Sequence, residues 1–395
     1  MSAARADQWL SLAISDIAVF GSGDLISVAR LSTRSGSNPV PVYGGNGIAG
    51  YTSSAMIGQP TVILGRVGQK CGVVYLNDGP AWITDNALYA RQFKRPLNVR
   101  FLALALEAAR LNDVKNKNDL PLITQSILND VKIAWPDSLE EQRAVAEALG
   151  DVEALIVELE RVIAKRQAIK KGMLQRFFDR GTRAPVGENG AREVRKEQQL
   201  GNLLLRPPRY GINAAAVPLT AATPTYIRIT DIDDSGRFSP KVGVDHPKSA
   251  NYHLNQGELV FARTGASVGK SYLCDPHDGE LVYAGFLINI APNPQVLNPA
   301  YLALFAQTKQ YWDWVASTSV RSGQPGINGR ELAQLPIFAP EIEEQNVIVS
   351  TVSDIDAEIA ALGRRLGKAR LIKTGMMQEL LTGRTRLPVQ GEGGE

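Results

Sequence analysis

The chain contains few cysteines, few histidines and almost no net charge. Its 395 residues include two cysteines, Cys71 and Cys274, which excludes a disulfide framework and a four-thiolate zinc site. We expect both to be buried, reduced thiols. The three histidines, His246, His253 and His277, have no metal-site spacing and no obvious nucleophile partner. A formal charge of +3 is too small to identify a polyanionic ligand.

Segments that direct a chain to a membrane are also missing. The start, MSAARADQW, has no basic stretch followed by an apolar core, so no signal peptide is expected. Residues 281–308 are uncharged, but Pro292, Pro294 and Pro299 disfavour a spanning helix. With 44% hydrophobic and 21% charged residues, the sequence predicts a cytoplasmic chain of two or three folded domains.

Motifs that suggest catalysis are incomplete. Residues 265–271 resemble a phosphate-binding loop, but three residues separate the glycines where the motif has four. Residues 45–50 fit G-x-G-x-x-G, but no acidic residue lies between Asp24 and Asp78 to bind a ribose. The Pro-Asp pair is not followed by Asp/Glu-x-Lys, and Asn-Pro-Pro-aromatic is missing. We therefore expect glycine turns, no catalytic residues, and neither a metal nor a cofactor on this chain.

The second half of the chain repeats part of the first. Residues 139–186 align without a gap with residues 342–389, at an offset of 203. Identical pairs include Glu141/Glu344, Gln142/Gln345, Lys170/Lys373 and Gly172/Gly375. This period is too long for a solenoid, so the sequence predicts two copies of a module of about 200 residues.

Each copy of the repeat has the apolar spacing of a long helix. Apolar residues alternate at spacings of four and three, the a/d pattern of a coiled coil; packing against a globular core is the alternative. A helix from about 138 to 180 would be roughly 60 Å long, a spacer rather than a core element. Ser138 and Glu141 fit a capping box at its start. The coiled-coil seam is Val145, Leu149, Val152, Ile156, Leu159, Ile163, Ile348, Val352, Ile355, Ile359, Leu362 and Leu366.

Charge along the two helices predicts how they pair. Residues 137–160 hold eight acids and one base, whereas residues 161–183 hold eight bases and one acid. Residues 341–358 hold six acids and no base, and residues 364–386 hold seven bases and one acid. Antiparallel pairing within the chain places each acidic half beside a basic half. The alternative is that the helix dipole alone favours both splits.

The segments outside the helices, 1–136 and about 187–338, read as mixed α+β domains with many strands and loops. Arg66-Val67-Gly68 in the first corresponds to Arg263-Thr264-Gly265 in the second, so a scaffold recurs while its loops diverge. Basic, amide and aromatic side chains in these loops are typical of DNA-binding surfaces, although each could be an ordinary surface charge or core aromatic. The candidate DNA-binding residues are Tyr43, Asn46, Tyr51, Arg66, Lys70, Lys115, Lys117, Tyr226, Arg228, Arg263, Lys270, Arg321, Gln324, Asn328 and Arg330.

Two divergent bodies, each followed by a matched helix that begins near a proline and Glu-Glu-Gln, resemble the specificity subunit of type I restriction–modification enzymes. The likeness includes Lys-x-Gly-Met-x-Gln near both helix ends and the stretches at residues 43–47 and 263–265. It implies an α+β fold: two mixed α/β target-recognition domains joined by two conserved helices in an antiparallel coiled coil, with an internal pseudo-two-fold repeat. The expected segments are target-recognition domain 1 at 1–136, spacer helix 1 at 137–183, target-recognition domain 2 at 184–338, spacer helix 2 at 339–386 and a disordered tail at 387–395.

The resemblance also implies a function and partners. In that family each target-recognition domain reads one half of an asymmetric, bipartite site in double-stranded DNA. Two methyltransferase subunits bind S-adenosylmethionine and methylate adenine, and two restriction motor-nuclease subunits use ATP and Mg²⁺. A standalone nucleic-acid-binding or regulatory protein on the same frame is the alternative, and it would bind its site tightly without a methyltransferase. A purely structural adaptor is a third interpretation, in which substitutions of Arg66 and Arg263 leave function unchanged.

Overall fold

A computed structural model describes residues 9–27, 29, 31–114, 121–178, 197–320 and 324–388 of the chain. These form two compact units. The first comprises Met1–Arg161 with Gly363–Glu395, and the second comprises Val162–Leu362. Each unit therefore combines one globular body with a half of each long helix.

The first unit pairs an antiparallel sheet of order β2-β8-β5-β6 with a smaller sheet of order β4-β3-β7 and the two-stranded β1-β9 sheet. Helix α2 packs its apolar face on the larger sheet, where Phe101 and Trp135 are fully buried. Its elements are β1 Trp9–Ala13, α1 Ile14–Ile17, β2 Ala18–Ser22, β3 Val40–Gly44, β4 Gly47–Thr52, β5 Thr61–Gly65, β6 Val74–Asn77, β7 Trp82–Ile83, β8 Ala87–Phe93, α2 Val99–Ala108, α3 Leu111–Val114, α4 Gln125–Asn129, β9 Lys132–Pro136 and the start of α5 Leu139–Phe178.

The second unit repeats this topology, with sheets of order β11-β18-β15-β16, β12-β14-β13-β17 and β10-β19. The parallel pair β3·β7 of the first unit recurs as β13·β17, and β12 extends that sheet by one strand. Its elements are the end of α5, β10 Glu197–Gln199, β11 Leu204–Tyr210, β12 Ala216–Pro218, β13 Thr225–Ile227, β14 Val242–Val244, β15 Leu259–Ala262, β16 Ser271–Leu273, β17 Leu281–Tyr283, β18 Leu287–Pro292, α6 Pro299–Phe305, α7 Lys309–Thr318, α8 Gly329–Ala333, β19 Pro336–Phe338 and the start of α9 Ile342–Leu380.

The repeat extends to individual hydrogen bonds. The Arg66 amide donates to the Asn86 carbonyl at 3.1 Å, and the Arg66 carbonyl accepts from Ile123 at 3.0 Å. The equivalent Arg263 amide donates to Phe286 at 3.0 Å, and its carbonyl accepts from Ile327 at 2.8 Å. The glycines that follow have positive φ in both units, +88° and +86° in the first and +70° and +88° in the second, which glycine adopts without strain.

The two long helices are antiparallel, as their charge pattern predicts. In the first unit Glu160 accepts from Arg370 at 2.7 Å and Glu153 from Lys373 at 3.2 Å, so numbering falls on one helix as it rises on the other. At the repeat offset of 203, Lys170 corresponds to Lys373 and Asp356 corresponds to Glu153. Lys170 and Asp356 lie 2.7 Å apart in the second unit. One ion pair is thus made twice. Exposed ion pairs contribute little stability individually, so their main effect is to favour the antiparallel orientation of the two helices.

The coiled-coil seam is buried most deeply beside the globular bodies. Val145 and Leu149 pack into the first core, and Ile348 and Val352 pack into the second. Leu159 is also buried, whereas the remaining seam residues are half-buried, as expected for a helix pair without further covering.

A buried glutamine joins each long helix to its body. Gln142 accepts from the Asn98 amide at 2.8 Å and donates to the Pro136 carbonyl at 3.0 Å. Its counterpart Gln345 accepts from the Asn298 amide at 2.8 Å and donates to the Val296 and Pro340 carbonyls. Asn98 and Asn298 are the N-caps of α2 and α6. The repeated glutamine therefore satisfies backbone groups that would otherwise be buried without partners.

The expected capping box at Ser138 forms only in part. The Glu141 amide donates to Ser138 Oγ at 3.3 Å, which is the ordinary N-cap bond. The Glu141 carboxylate instead accepts from Trp9 Nε1 at 2.9 Å and pairs with Arg386 at 2.8 and 3.0 Å. A full charge buried at 2% exposure is better satisfied by a guanidinium than by one amide.

Candidate nucleic-acid interface

Three loops of the first unit meet around a glycine turn. Asn46 is exposed at the turn between β3 and β4, where Gly47 has a φ of +95°. A Cβ on Gly45 would lie 3.0 Å from the Asn86 carbonyl and 3.3 Å from the Val67 carbonyl, so the β5–β6 and β7–β8 loops pack against this turn. The turn thus places an exposed amide beside the loop that carries Arg66.

Arg66 is half-buried and anchored through its guanidinium. Its guanidinium donates to Ser22 Oγ at 2.9 Å. Its Nε is buried, with no hydrogen-bond partner within the described part of the chain. Lys70, four residues on, is exposed. This loop offers an arginine and a lysine to an anion or a base edge.

The first unit's tyrosines serve its packing. Tyr43 is buried, its ring centroid lies 6.3 Å from that of Tyr75, and burial raises the pKa of its hydroxyl. Tyr51 is half-buried on β4, with the Arg34 guanidinium 6.0 Å from its ring centroid.

The matching loops of the second unit carry a different set of side chains. The Arg263 guanidinium lies 4.7 Å from the centroid of the Tyr210 ring, a cation–π distance. Tyr210 Oη accepts from the Gly329 amide at 2.8 Å. The exposed Gln324 lies beside Gly265, since a Cβ there would meet its amide nitrogen at 2.8 Å. An arginine, an amide and an aromatic ring are therefore close together.

Tyr226 and Arg228 are occupied by contacts within the second unit. Tyr226 is 4% exposed, donates to the Ile212 carbonyl at 2.7 Å, and has a hydroxyl pKa raised by burial. Arg228 forms a two-pronged pair with the fully buried Asp231 at 2.9 and 3.0 Å, and these bonds raise its pKa. Both side chains stabilise the body that carries the loops.

The other candidates of the second unit differ in availability. Lys270 Nζ pairs with Asp234 at 2.8 Å. Asn328 is the N-cap of α8 and forms a full capping box with Glu331. Arg330 is exposed on that helix. Lys115, Lys117 and Arg321 lie outside the described residues.

Sequence reasoning missed the exposed aromatics of this surface. Among the described residues, Tyr210 and Phe286 are the aromatic side chains that are more than about a third exposed, at 42% and 57%. Both contact Arg263, one through its ring and one through its carbonyl. The backbone contacts pair Phe286 with Asn86 at an offset of 200, whereas Arg66 and Arg263 differ by 197, so an ungapped extension of the repeat alignment would not have found this equivalence.

The sequences that resembled nucleotide-binding motifs lie in hairpin connections. Residues 265–270 join the antiparallel strands β15 and β16, and residues 45–46 join β3 and β4. Neither leads into a long helix as the phosphate-binding motifs do. Within the described ranges no three His, Cys, Asp or Glu side chains are placed to hold a metal ion.

The cysteines are buried thiols, as expected. Cys71 Sγ donates to the Arg66 carbonyl at 3.1 Å, and burial raises the pKa of Cys274 to about 11. No helix in the described portion combines the length and apolarity needed to cross a membrane.

Comparison with known proteins gives one consistent family. A family model described as the type I restriction modification DNA specificity domain matches residues 7–171 and 225–367. The MjaVIII specificity subunit of Methanocaldococcus jannaschii is 21% identical over 310 residues, 73% of this chain and 70% of the relative. The EcoBI specificity subunit of Escherichia coli is 19% identical over 414 residues, 95% of this chain and 85% of the relative.

Solved structures share the fold. A crystal structure of the type I restriction–modification S subunit from M. genitalium aligns with a TM-score of 0.61 at 14% identity, covering 96% of this chain and 98% of that one. A chain from work on assembly and conformational transition of the type I system aligns at 0.55, covering 95% and 98%. Because the family model spans most of the residues, this chain belongs to the type I restriction–modification specificity subunits.

Proposed function

We propose that the chain is the DNA-binding specificity subunit of a type I restriction–modification complex and recognises an asymmetric, bipartite site. The observation that carries the proposal is the duplicated scaffold. The Arg66 and Arg263 loops share their backbone hydrogen bonds but present different side chains. Identical frames with divergent loops suit two different half-sites read in one geometry.

Exposed and half-buried loop residues supply the chemistry of base and phosphate contact. In the first unit we assign this role to Asn46, Arg66 and Lys70, and in the second to Arg263 and Gln324. Arginine bonds guanine edges or phosphates, and amide side chains bond adenine edges. We keep Arg330, together with Lys115, Lys117 and Arg321 outside the described residues, as candidates for DNA contact, and we assign Tyr51, Lys270 and Asn328 to the support of the loops.

Two linked readers gain affinity and specificity from their connection. Binding of one half-site raises the effective concentration of the second reader at its own half-site. Correct spacing and rotational phase are then required for both to bind. The antiparallel seam is the element that we propose sets this spacing.

We propose two methyltransferase subunits and two restriction motor-nuclease subunits as partners. The twofold repetition of the helices, including the Lys170–Asp356 and Lys373–Glu153 pairs, offers two equivalent docking surfaces for one kind of partner. S-adenosylmethionine, ATP and Mg²⁺ would be bound by those subunits, and this chain would contribute recognition rather than catalysis. The family match favours this role over a standalone regulatory protein.

Exchanging the first body tests the modular reading. We expect that replacing residues 1–136 by the corresponding body of another specificity subunit changes one half-site and leaves the other, because each unit has its own core. The measurement is selection of bound sequences from a random duplex library by the chain assembled with its methyltransferase. The unmodified chain, which should select two blocks with a fixed gap, is the control. Changes in both blocks, or selection of no sequence at all, would contradict the proposal.

A further inference from the structure

An exposed phenylalanine lies beside the Arg263 loop of the second unit. Phe286 follows Gly285 in the β17–β18 connection and is 57% exposed. Exposing a large aromatic ring is unfavourable in water, and exposed apolar groups often mark contact surfaces. Its carbonyl accepts from the amide of Arg263, so the ring is held beside the loop that carries this arginine.

The neighbours of Phe286 indicate the kind of ligand. Tyr210 is the other exposed aromatic of the described residues, and its ring lies under the Arg263 guanidinium. Gln324, which is exposed, lies beside Gly265 on the same loop surface, so an amide and a half-buried arginine lie next to exposed aromatic rings. Such a combination matches the edge of a base pair rather than a purely apolar partner.

The first unit has a different residue at this position. The Arg66 amide donates to Asn86 as the Arg263 amide donates to Phe286, so positions 86 and 286 are equivalent. Asn86 is exposed and polar, whereas Phe286 is exposed and apolar. The backbone contact is therefore the same at positions 86 and 286, while the side chain is polar at one and apolar at the other. Such a position is suited to distinguishing two half-sites.

We propose that Phe286 is a specificity-determining residue that contacts the 5-methyl group of a thymine in the second half-site. This inference rests on the proposed function. A phenylalanine ring cannot donate or accept a conventional hydrogen bond, and the thymine methyl is the apolar group that base edges present in the major groove. Arg263 beside it supplies the polar contact that fixes the register of the loop on the duplex.

Single replacements of thymine by deoxyuracil in the selected site test this contact. We expect the complex of the chain with its methyltransferase to lose about fourfold in affinity at one thymine, the effect of removing one buried methyl group. Phe286→Ala should bind the thymine site about tenfold more weakly and lose the distinction between thymine and deoxyuracil. Phe286→Leu, which keeps an apolar side chain, should retain part of the distinction between thymine and deoxyuracil.

Leu205→Ala is the matched control, because Leu205 is 64% exposed on β11 but lies at the far end of that sheet from Phe286. It should behave as the unmodified chain. Three results would overturn the inference while leaving the proposed function intact. The first is that no replacement of thymine by deoxyuracil weakens binding, and the second is that Phe286→Ala still distinguishes thymine from deoxyuracil. The third is that Phe286→Ala weakens binding to the thymine and deoxyuracil duplexes equally, which indicates that the ring is inserted without regard to sequence. Selection of no bipartite site by the unmodified chain would instead overturn the proposed function itself.

Discussion

Replacing Gln142 or Gln345 by leucine lowers the free energy of unfolding by about 2–4 kcal/mol. Both glutamines are at most 1% exposed. Leucine fills a similar volume but leaves the amide of Asn98 or Asn298 and a proline carbonyl without their partners. Each buried group left unsatisfied costs about 1–3 kcal/mol. Denaturant unfolding of the purified chain measures the change.

Gln378→Leu provides the control for that experiment. Gln378 occupies the same helix as Gln345, but its side chain is exposed. Its substitution should change stability by less than about 0.5 kcal/mol. If Gln142→Leu and Gln345→Leu were as stable as this control, the two glutamines would not be the residues that join the helices to the bodies.

Shortening the coiled coil by one heptad abolishes preference for the native spacing between half-sites. Deleting residues 156–162 together with 364–370 removes opposed stretches, including both members of the Glu160–Arg370 pair, and keeps Glu153 opposite Lys373. Seven helical residues correspond to about 10 Å, the length of about three base pairs. A shift of three base pairs also turns the DNA surface that meets the second reader by nearly a third of a helical turn. The native site should therefore lose at least about tenfold in affinity.

Selection from duplexes that hold both half-sites at every spacing measures the effect. The bases selected within each half-site should remain those of the unmodified chain, because both bodies are untouched. Alanine replacement of the exposed Glu158 and Arg161, which removes a surface pair without changing length, is the control. An unchanged preferred spacing would show that the seam does not set the separation of the half-sites.

The helices are the part of the fold that the sequence predicts best. Their signals are local and repeated: alternating apolar spacings, Ser138 before the first helix, and charge of opposite sign in each half. The charge split correctly predicted antiparallel pairing, since Lys170 lies beside Asp356 and Lys373 beside Glu153. The Glu141 carboxylate was misassigned because Arg386, its partner, lies 245 residues away.

The bodies were harder to predict because their strands pair across long stretches of sequence. The parallel pairing of β3 with β7 has no local signal. Composition also does not separate a recognising arginine from a structural one: Arg66 donates to a serine and Arg263 lies over a tyrosine ring, whereas Arg228 forms two hydrogen bonds with the buried Asp231. The acid three residues beyond Arg228 was an available clue. Phe286 was not predicted, because the aromatic candidates were limited to tyrosines and nothing local in the sequence marks this ring as exposed.

Base-resolution sequencing of adenine methylation tests whether this chain directs a methyltransferase to a bipartite DNA site. The comparison is between cells that express the partner methyltransferase with this chain and cells that express the methyltransferase alone, in a host without other adenine methylation. We expect methylation at a single motif of two specific blocks separated by a fixed gap, and only when both proteins are present. Methylation at the same sites without this chain, or a motif with one continuous block, would contradict it.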